Sequence, residues 1–378
     1  MKIKQLFLMA AIGLMATATF SSCQDILGEW DRPTPAVVPP SEPETPEAII
    51  YAFSLRNLAD DADVTATTLT VTNQTGDVVL CEESDGKYTI KKDNLGSATM
   101  LWLEATTTTG NYIAKATIEE LPAIAEAGKL KMATLGDLIN SDGTFSAAAE
   151  DGKTPVGAIA YLGNDAFTED GTMVGETAFK GHGLVLCLKN AAEGANAQWS
   201  TVTSAFEFAE DAKVTDATAL KRTANVSGYT NTRTLAEKAD AATTYKAAYK
   251  AYNYTGLTAP AGTTGWFLPS AQQWVKMQEG LGGLAENNIT WNSWFNNDHS
   301  AATAWETAMA KAGAKGTAYD SMTDAYLWYW SSSEYSANSA VLLGVDARGT
   351  GDDYGFRWYN YVKDYTYGNG RVRPVLAF

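Results

Sequence analysis

A chain of 378 residues with 45% hydrophobic and 11% aromatic side chains exceeds one small module and is too apolar to stay disordered throughout. Its formal net charge of −16 repels nucleic-acid phosphates, which argues against DNA or RNA as partners. Two histidines, His182 and His299, leave little material for acid–base catalysis or a multi-histidine metal site, so composition leans away from an enzyme and implies no metal or cofactor.

Lys2 and Lys4, the apolar run Leu6 to Ala16 and the small residues Thr17 to Ser22 read as a secretory signal over residues 1–22. Its apolar part is too short to span a bilayer. The run Phe20-Ser21-Ser22-Cys23 resembles a bacterial lipobox, with Phe where Leu is commoner. That resemblance implies acylation of Cys23 and a chain tethered to the cell envelope, in the outer membrane and facing outward, by lipid rather than by a transmembrane helix. Ordinary signal cleavage with Cys23 left as a free thiol is the alternative. Cys81 and Cys187 fall in apolar runs and read as buried hydrophobes.

Six of the 11 prolines lie between Pro33 and Pro46, so residues 23–48 read as an extended, semi-rigid linker. Over 49–125, short alternating runs (Thr68 to Val71, Val78 to Leu80, Lys87 to Ile90, Met100 to Leu103, Tyr112 to Ala114) recur between turn residues such as Asn73 to Gly76. Period-two alternation at that spacing predicts an antiparallel β-sandwich of immunoglobulin-like type acting as a spacer. Residues 129–378 carry longer segments. Helical spacing covers Ala236 to Tyr252, Ser270 to Leu281 (with Ser270 as N-cap and Gly280 near the stop) and His299 to Ala314. Val156 to Leu162, Gly183 to Leu188, Val341 to Val345 and Val372 to Phe378 read as buried strands, so the whole is an α+β chain with an irregular second domain.

Several separated motifs follow one another in that second region: Gly136-Asp137, Ser141-Asp142-Gly143-Thr144, Val156-Gly157, His182-Gly183-Leu184-Val185-Leu186, Gly265-Trp266-Phe267-Leu268-Pro269-Ser270 with Trp274, Tyr329-Trp330-Ser331-Ser332-Ser333-Glu334, and Arg371-Val372-Arg373-Pro374-Val375-Leu376-Ala377-Phe378. Together they resemble the bacterial "major paralogous domain" of secreted proteins, whose fold is similar to C-type lectins and to the formylglycine-generating enzyme. The tail from Trp330 onward is especially similar to the variable proteins of diversity-generating retroelements. That likeness implies a fixed scaffold whose C-terminal stretch is rewritten by adenine-specific mutagenesis of Asn-type codons to display many binding surfaces.

The residues of 335–370 can be weighed independently. Between Tyr335 and Gly370 there is no Glu, Gln or Met, and Trp358 and Lys363 are the only types that Asn codons cannot reach by adenine mutation. Seven of the 14 residues from Tyr354 to Tyr367 are aromatic, a Tyr/Asp/Gly/Arg mixture like that of antibody loops. Asp346, Arg348, Asp352, Tyr354, Arg357, Trp358, Tyr359, Tyr361, Asp364, Tyr365 and Tyr367 are the candidate ligand-binding residues. The competing reading packs these aromatics into a hairpin core; against it, adjacent Trp358-Tyr359 must point to opposite faces. His182, beside Gly181 and Gly183, reads as structural. Nucleophile-elbow, zinc and phosphate-loop patterns are absent, and the adjacent pair Asp352-Asp353 lacks the opposed geometry of glycoside hydrolysis. The expectation is therefore a binding protein, not an enzyme, whose partner is a protein or glycan on a cell surface. A non-diversified pilus-tip-like adhesin, a polysaccharide-acting envelope enzyme and a purely structural envelope protein are the alternatives.

Overall fold

The computed structural model describes residues 48–169, 180–206, 213–220, 226–285, 289, 291, 300–322, 326–346, 355–366 and 370–378, which belong to one unit beginning at Ala48. Residues 1–47, which hold the stretch expected as a signal, Cys23 and nearly all of the stretch expected as a linker, lie outside them. Among the described residues no helix is long and apolar enough to cross a membrane. The architecture is α+β and rests mainly on three sheets.

The first sheet comprises β1 (Ile50–Asn57), β2 (Thr68–Asn73), β3 (Glu82–Ser84), β4 (Lys87–Lys91), β5 (Met100–Thr106), β6 (Asn111–Thr117) and β7 (Lys129–Thr134), in the order β2-β5-β6-β7-β1-β4-β3. Alternation turns Tyr51, Phe53 and Leu55, Tyr88 and Ile90, and Leu101, Leu103 and Ala105 into one core. On β5, Trp102 faces the other way and joins Ile113, Ala133, Trp266, Leu376 and Phe378 in a second core shared with the rest of the molecule. By sequence, Lys129 to Thr134 falls in the second region; in the structure it pairs in parallel with β1 and antiparallel with β6, completing the first sheet. The short helix α1 (Leu121–Ala127) supplies the crossover, ending on Gly128 at φ 67°, a left-handed cap that glycine adopts freely. The run expected as a strand at Val78 to Leu80 makes only a bridge to Thr72, because the Asn73 side chain gathers the Thr75 and Asp77 amides into a tight turn just before it.

The second sheet holds β8 (Leu138–Asn140), β9 (Phe145–Ser146), β10 (Pro155–Leu162), β11 (Gly183–Cys187) and, at its edge, β17 (Val375–Ala377). The third orders β12 (Ala192–Glu193), β16 (Gly370–Val372), β13 (Leu327–Glu334), β14 (Ser339–Asp346) and β15 (Gly355–Val362). The run read as one strand, Val372 to Phe378, is two strands in two sheets. Pro374 has no amide to donate and falls at the step between them. Likewise, the helix expected over Ala236 to Tyr252 is broken. After α2 (Ala217–Leu220), α3 (Gly228–Ala236) stops, and α4 (Ala241–Thr244) and α5 (Lys246–Tyr252) meet at Tyr245, whose backbone leaves helical geometry and whose ring packs edge-on against Phe206 at 5.0 Å.

Helix α6 (Ala271–Glu279) is the best specified by its sequence. Ser270 Oγ accepts from the Gln273 amide at 3.2 Å while Gln273 Oε1 accepts from the Ser270 amide at 2.9 Å, a reciprocal capping box. Trp274 stacks on Trp305 of α7 (Ser300–Gly313) with centroids 5.7 Å apart, and its indole N–H donates to the Trp330 carbonyl at 3.2 Å. The Ser-Ser-Ser-Glu end of β13, where its register with β14 shifts, is wholly buried. Ser333 Oγ accepts the Ala271 amide, the Ser332 amide donates to Pro269, and the Trp199 indole donates to Ser331. These bonds tie two remote segments, 269–271 and the one carrying Trp199, to one bulge.

Glu334 and Lys363 are both 0% exposed and form an ion pair. Glu334 also accepts the Phe206 amide at 3.1 Å; the Lys363 ammonium donates to the Ser204 carbonyl at 2.9 Å and lies 4.4 Å from the Phe206 ring centre. Burial holds the Lys363 ammonium below the usual lysine range, with the Glu334 hydrogen bond opposing that shift. Removing one partner strands the other charge, so Lys363→Met is expected to cost about 3–5 kcal/mol in chemical denaturation, and Glu334→Gln on top of it to recover much of that loss.

Near the start of α3, Glu169 Oε1 accepts the Thr230 amide at 2.7 Å, whereas Oε2 is shielded from solvent with no partner among the described residues. Burial pushes this carboxyl from 4.5 up to about 7. Because the folded state holds the proton more tightly than the unfolded one, stability is fullest below about pH 4.5 and falls as pH rises through about 7. Glu169→Gln should therefore leave the melting temperature unchanged at pH 4 and raise stability by roughly 1–3 kcal/mol at pH 8, as read by calorimetry.

Candidate binding face

The full antiparallel register of β14 and β15, from Ser339 opposite Val362 to Asp346 opposite Gly355, decides which residues face outward. Phe356 and Trp358 turn inward and are buried, whereas Arg357, Tyr359 and Tyr361 take the opposite face. Toward β13 and β16 that face is covered by Trp199, Leu235, Leu268 and the alanines of α5, and the cover thins at β15, where Tyr359 still packs against it and Tyr361 is 39% exposed.

At this margin the side chains form a partly buried aromatic ladder, in which Trp328, Tyr359 and Tyr365 also pack against that cover. Successive ring centroids lie 4.9 Å apart from Tyr326 to Trp328, 5.9 Å from Trp328 to Tyr359, 6.2 Å from Tyr359 to Tyr361, and 4.2 Å from Tyr361 to Tyr365. The Arg357 guanidinium sits 5.2 Å from the Tyr359 ring centre. Gly344, directly between Trp328 and Arg357 in the sheet, makes the ladder continuous: a Cβ there would lie 2.8 Å from the Trp328 ring. The stripe offers π faces, phenolic hydroxyls and one cation, with the exposed Asp364 carboxylate in the turn after β15.

Of the expected site residues, Arg357, Tyr359, Tyr361 and Tyr365 are brought together, with Asp364 beside them in sequence. Two belong elsewhere. Trp358 is 0% exposed and donates its indole N–H to Gln278 Oε1 at 3.1 Å, because its even position on β15 faces the core. Asp346 is buried at the end of β14, so its carboxylate is not presented to solvent. Arg348, Asp352, Tyr354, Tyr367 and the lipidation candidate Cys23 lie outside the described residues. Tyr326, Trp328 and Gly344 were not singled out as ligand-contacting from sequence, although Trp328 and Trp330 two apart on a strand already share one face.

Other chemistry-bearing groups lie away from this face. His182 is buried at the junction of the first and second sheets, its ring 4.4 Å from that of Trp102 and its Nδ1 3.0 Å from Glu104 Oε1. It borders a cleft of about 190 Å³ with Asn111 and Asn164. Burial pushes the Cys81 thiol up to about 11 and the Cys187 thiol up to about 12, which keeps both protonated and poorly nucleophilic at neutral pH. Among the described residues no group of three or more His, Cys, Asp or Glu is placed to hold a metal ion. Searches of protein families, of curated proteins and of solved structures found no match to this chain.

The tight approach at Gly344 gives a direct test of the ladder. Gly344→Ala should force the Trp328 ring to shift, lowering stability by about 1–3 kcal/mol and changing the near-ultraviolet circular dichroism of the folded state.

Proposed function

We propose that this chain is a cell-envelope lipoprotein, acylated at Cys23, that displays a C-type-lectin-like domain and recognises a protein or glycan on a cell surface without turning it over. In this reading the first sheet is an immunoglobulin-like spacer, and the C-terminal stretch is the variable surface of a diversity-generating retroelement protein. The observation that carries the reading is the ladder from Tyr326 to Tyr365: partly exposed rings from β13, the edge strand β15 and the turn after it, with Phe356 and Trp358 buried on the opposite face of β15. Rings held in place by a sheet give large contact area with little ordering cost, which is the logic of a paratope. Arg357 and Asp364 would tune specificity through charge and hydrogen bonding. The sealed face lets residues on the open face vary without disturbing the core. A non-diversified adhesin would use the same face; a template repeat and a reverse transcriptase beside the gene would favour the diversified form.

The test is an array of glycans and surface proteins probed with residues 48–378 and with the triple variant Arg357→Ala, Tyr361→Ala, Tyr365→Ala. Loss of a specific hit by more than about thirtyfold in affinity, with the melting temperature held within a few degrees, is the expected outcome. Undiminished binding by the variant would move the site elsewhere.

A further inference from the structure

The cleft beside His182 is built by strand register. Directly opposed residues of β2, β5 and β6 share a face, so Thr68, Thr106 and Asn111 form one row and Thr70, Glu104 and Ile113 the next. The opposite wall comes from the second sheet, as the end of β10 and the turn after it, Leu162 to Asn164, together with His182 ahead of β11. The two walls are fastened to each other. The His182 ring lies 4.4 Å from that of Trp102 and its Nδ1 3.0 Å from Glu104 Oε1, while Asn111 Nδ2 donates to the Leu162 carbonyl at 3.4 Å. Within the second wall, the Gly163 amide donates to the His182 carbonyl at 2.8 Å. The space between holds about 190 Å³, room for about six water molecules.

The polar groups around this space are only partly used. Glu104 Oε1 is engaged by His182, whereas Oε2 has no hydrogen-bond partner among the described residues. The same holds for the hydroxyls of Thr68, Thr70 and Thr106 and the side-chain amide of Asn164. Hydroxyls and carboxamides both donate and accept, so four such groups beside a carboxylate match a ligand whose own groups do both. An alkylammonium only donates and would leave their donors unmet. A carboxylate or phosphate only accepts, and it would meet the Glu104 carboxylate in a cleft that no lysine or arginine lines among the described residues.

We propose that this cleft binds a neutral, hydroxyl-rich ligand of the size of a single sugar residue, with Glu104 Oε2 accepting from its hydroxyls and Thr68, Thr70, Thr106 and Asn164 exchanging hydrogen bonds with the rest. The volume is below the roughly 300–1,000 Å³ of sites that enclose drug-sized ligands, which limits the occupant to one ring. Because both sheets supply the walls, the first sheet takes part in recognition here. The site is separate from the aromatic ladder and shares no residue with it.

The test is ligand-observed NMR and isothermal titration of the purified chain with glucose, galactose and mannose, each set against its uronate, and with cyclohexylamine as a donor-only ring of the same size. The expected result is saturable binding of at least one neutral sugar, with its uronate and the amine weaker by about tenfold or more. Thr106→Val and Glu104→Gln should each weaken that sugar about tenfold at an unchanged melting temperature, and Glu104→Gln should also narrow the gap between the sugar and its uronate. The ladder variant Arg357→Ala, Tyr361→Ala, Tyr365→Ala should bind it as the wild type does. Absence of saturable binding by every neutral sugar, equal binding of the uronate or the amine, undiminished binding in Thr106→Val and Glu104→Gln, or loss of binding in the ladder variant would overturn the proposal. Should Glu104→Gln fail to fold, Thr106→Val and Asn164→Ala decide.

Discussion

The buried ion pair between Glu334 and Lys363 is the constraint on which the C-terminal half turns. It joins the last residue of β13 to the turn after β15, and through Phe206 and Ser204 it draws in the segment that covers the third sheet. Charges this deep are tolerated only with their hydrogen bonds satisfied, which leaves this corner essentially one arrangement. The serines ahead of Glu334 have a related role. They receive the chain at Pro269, the first turn of α6 and the indole of Trp199, so the register shift in β13 is a junction rather than a defect.

From that junction follows the division of labour across β15. Its inner residues, Phe356 and Trp358, are locked against α7 and Gln278, and Lys363 closes its far end. On the outer face the Arg357 guanidinium lies over the Tyr359 ring, Tyr361 packs between Tyr359 and Tyr365, and Asp364 is exposed. A strand anchored on one face and at its end can carry changing side chains on the other. That is the physical requirement for the display surface proposed above, and the buried Phe356, Trp358 and Lys363 are its anchors on β15 and the turn that follows.

Much of this was legible in the residues. Ser270 as N-cap and Gly280 near the stop bound α6 to within a residue or two because caps are local signals, and the apolar runs at Val156 and Gly183 became buried strands because nothing in them competes with that outcome. What was hidden depends on distant partners. Tyr245 breaks a helical pattern because Phe206 draws its ring away, and Val372 to Phe378 splits because two sheets each claim part of it. Lys129 to Thr134 joins the first sheet only because β1 offers a parallel edge. Composition singles out the stretch 335–370, but only register separates Tyr359 from Trp358 or brings Trp328 across Gly344.

The most direct measurement of the central claim is a saturation substitution scan of residues 355–366, scored by protease resistance of the folded chain. The account predicts an alternating pattern: Arg357, Tyr361 and Asp364 accept polar and small residues, whereas Phe356, Trp358 and Lys363 accept almost none. Equal intolerance at the outward positions would make the ladder part of the core and contradict a display surface.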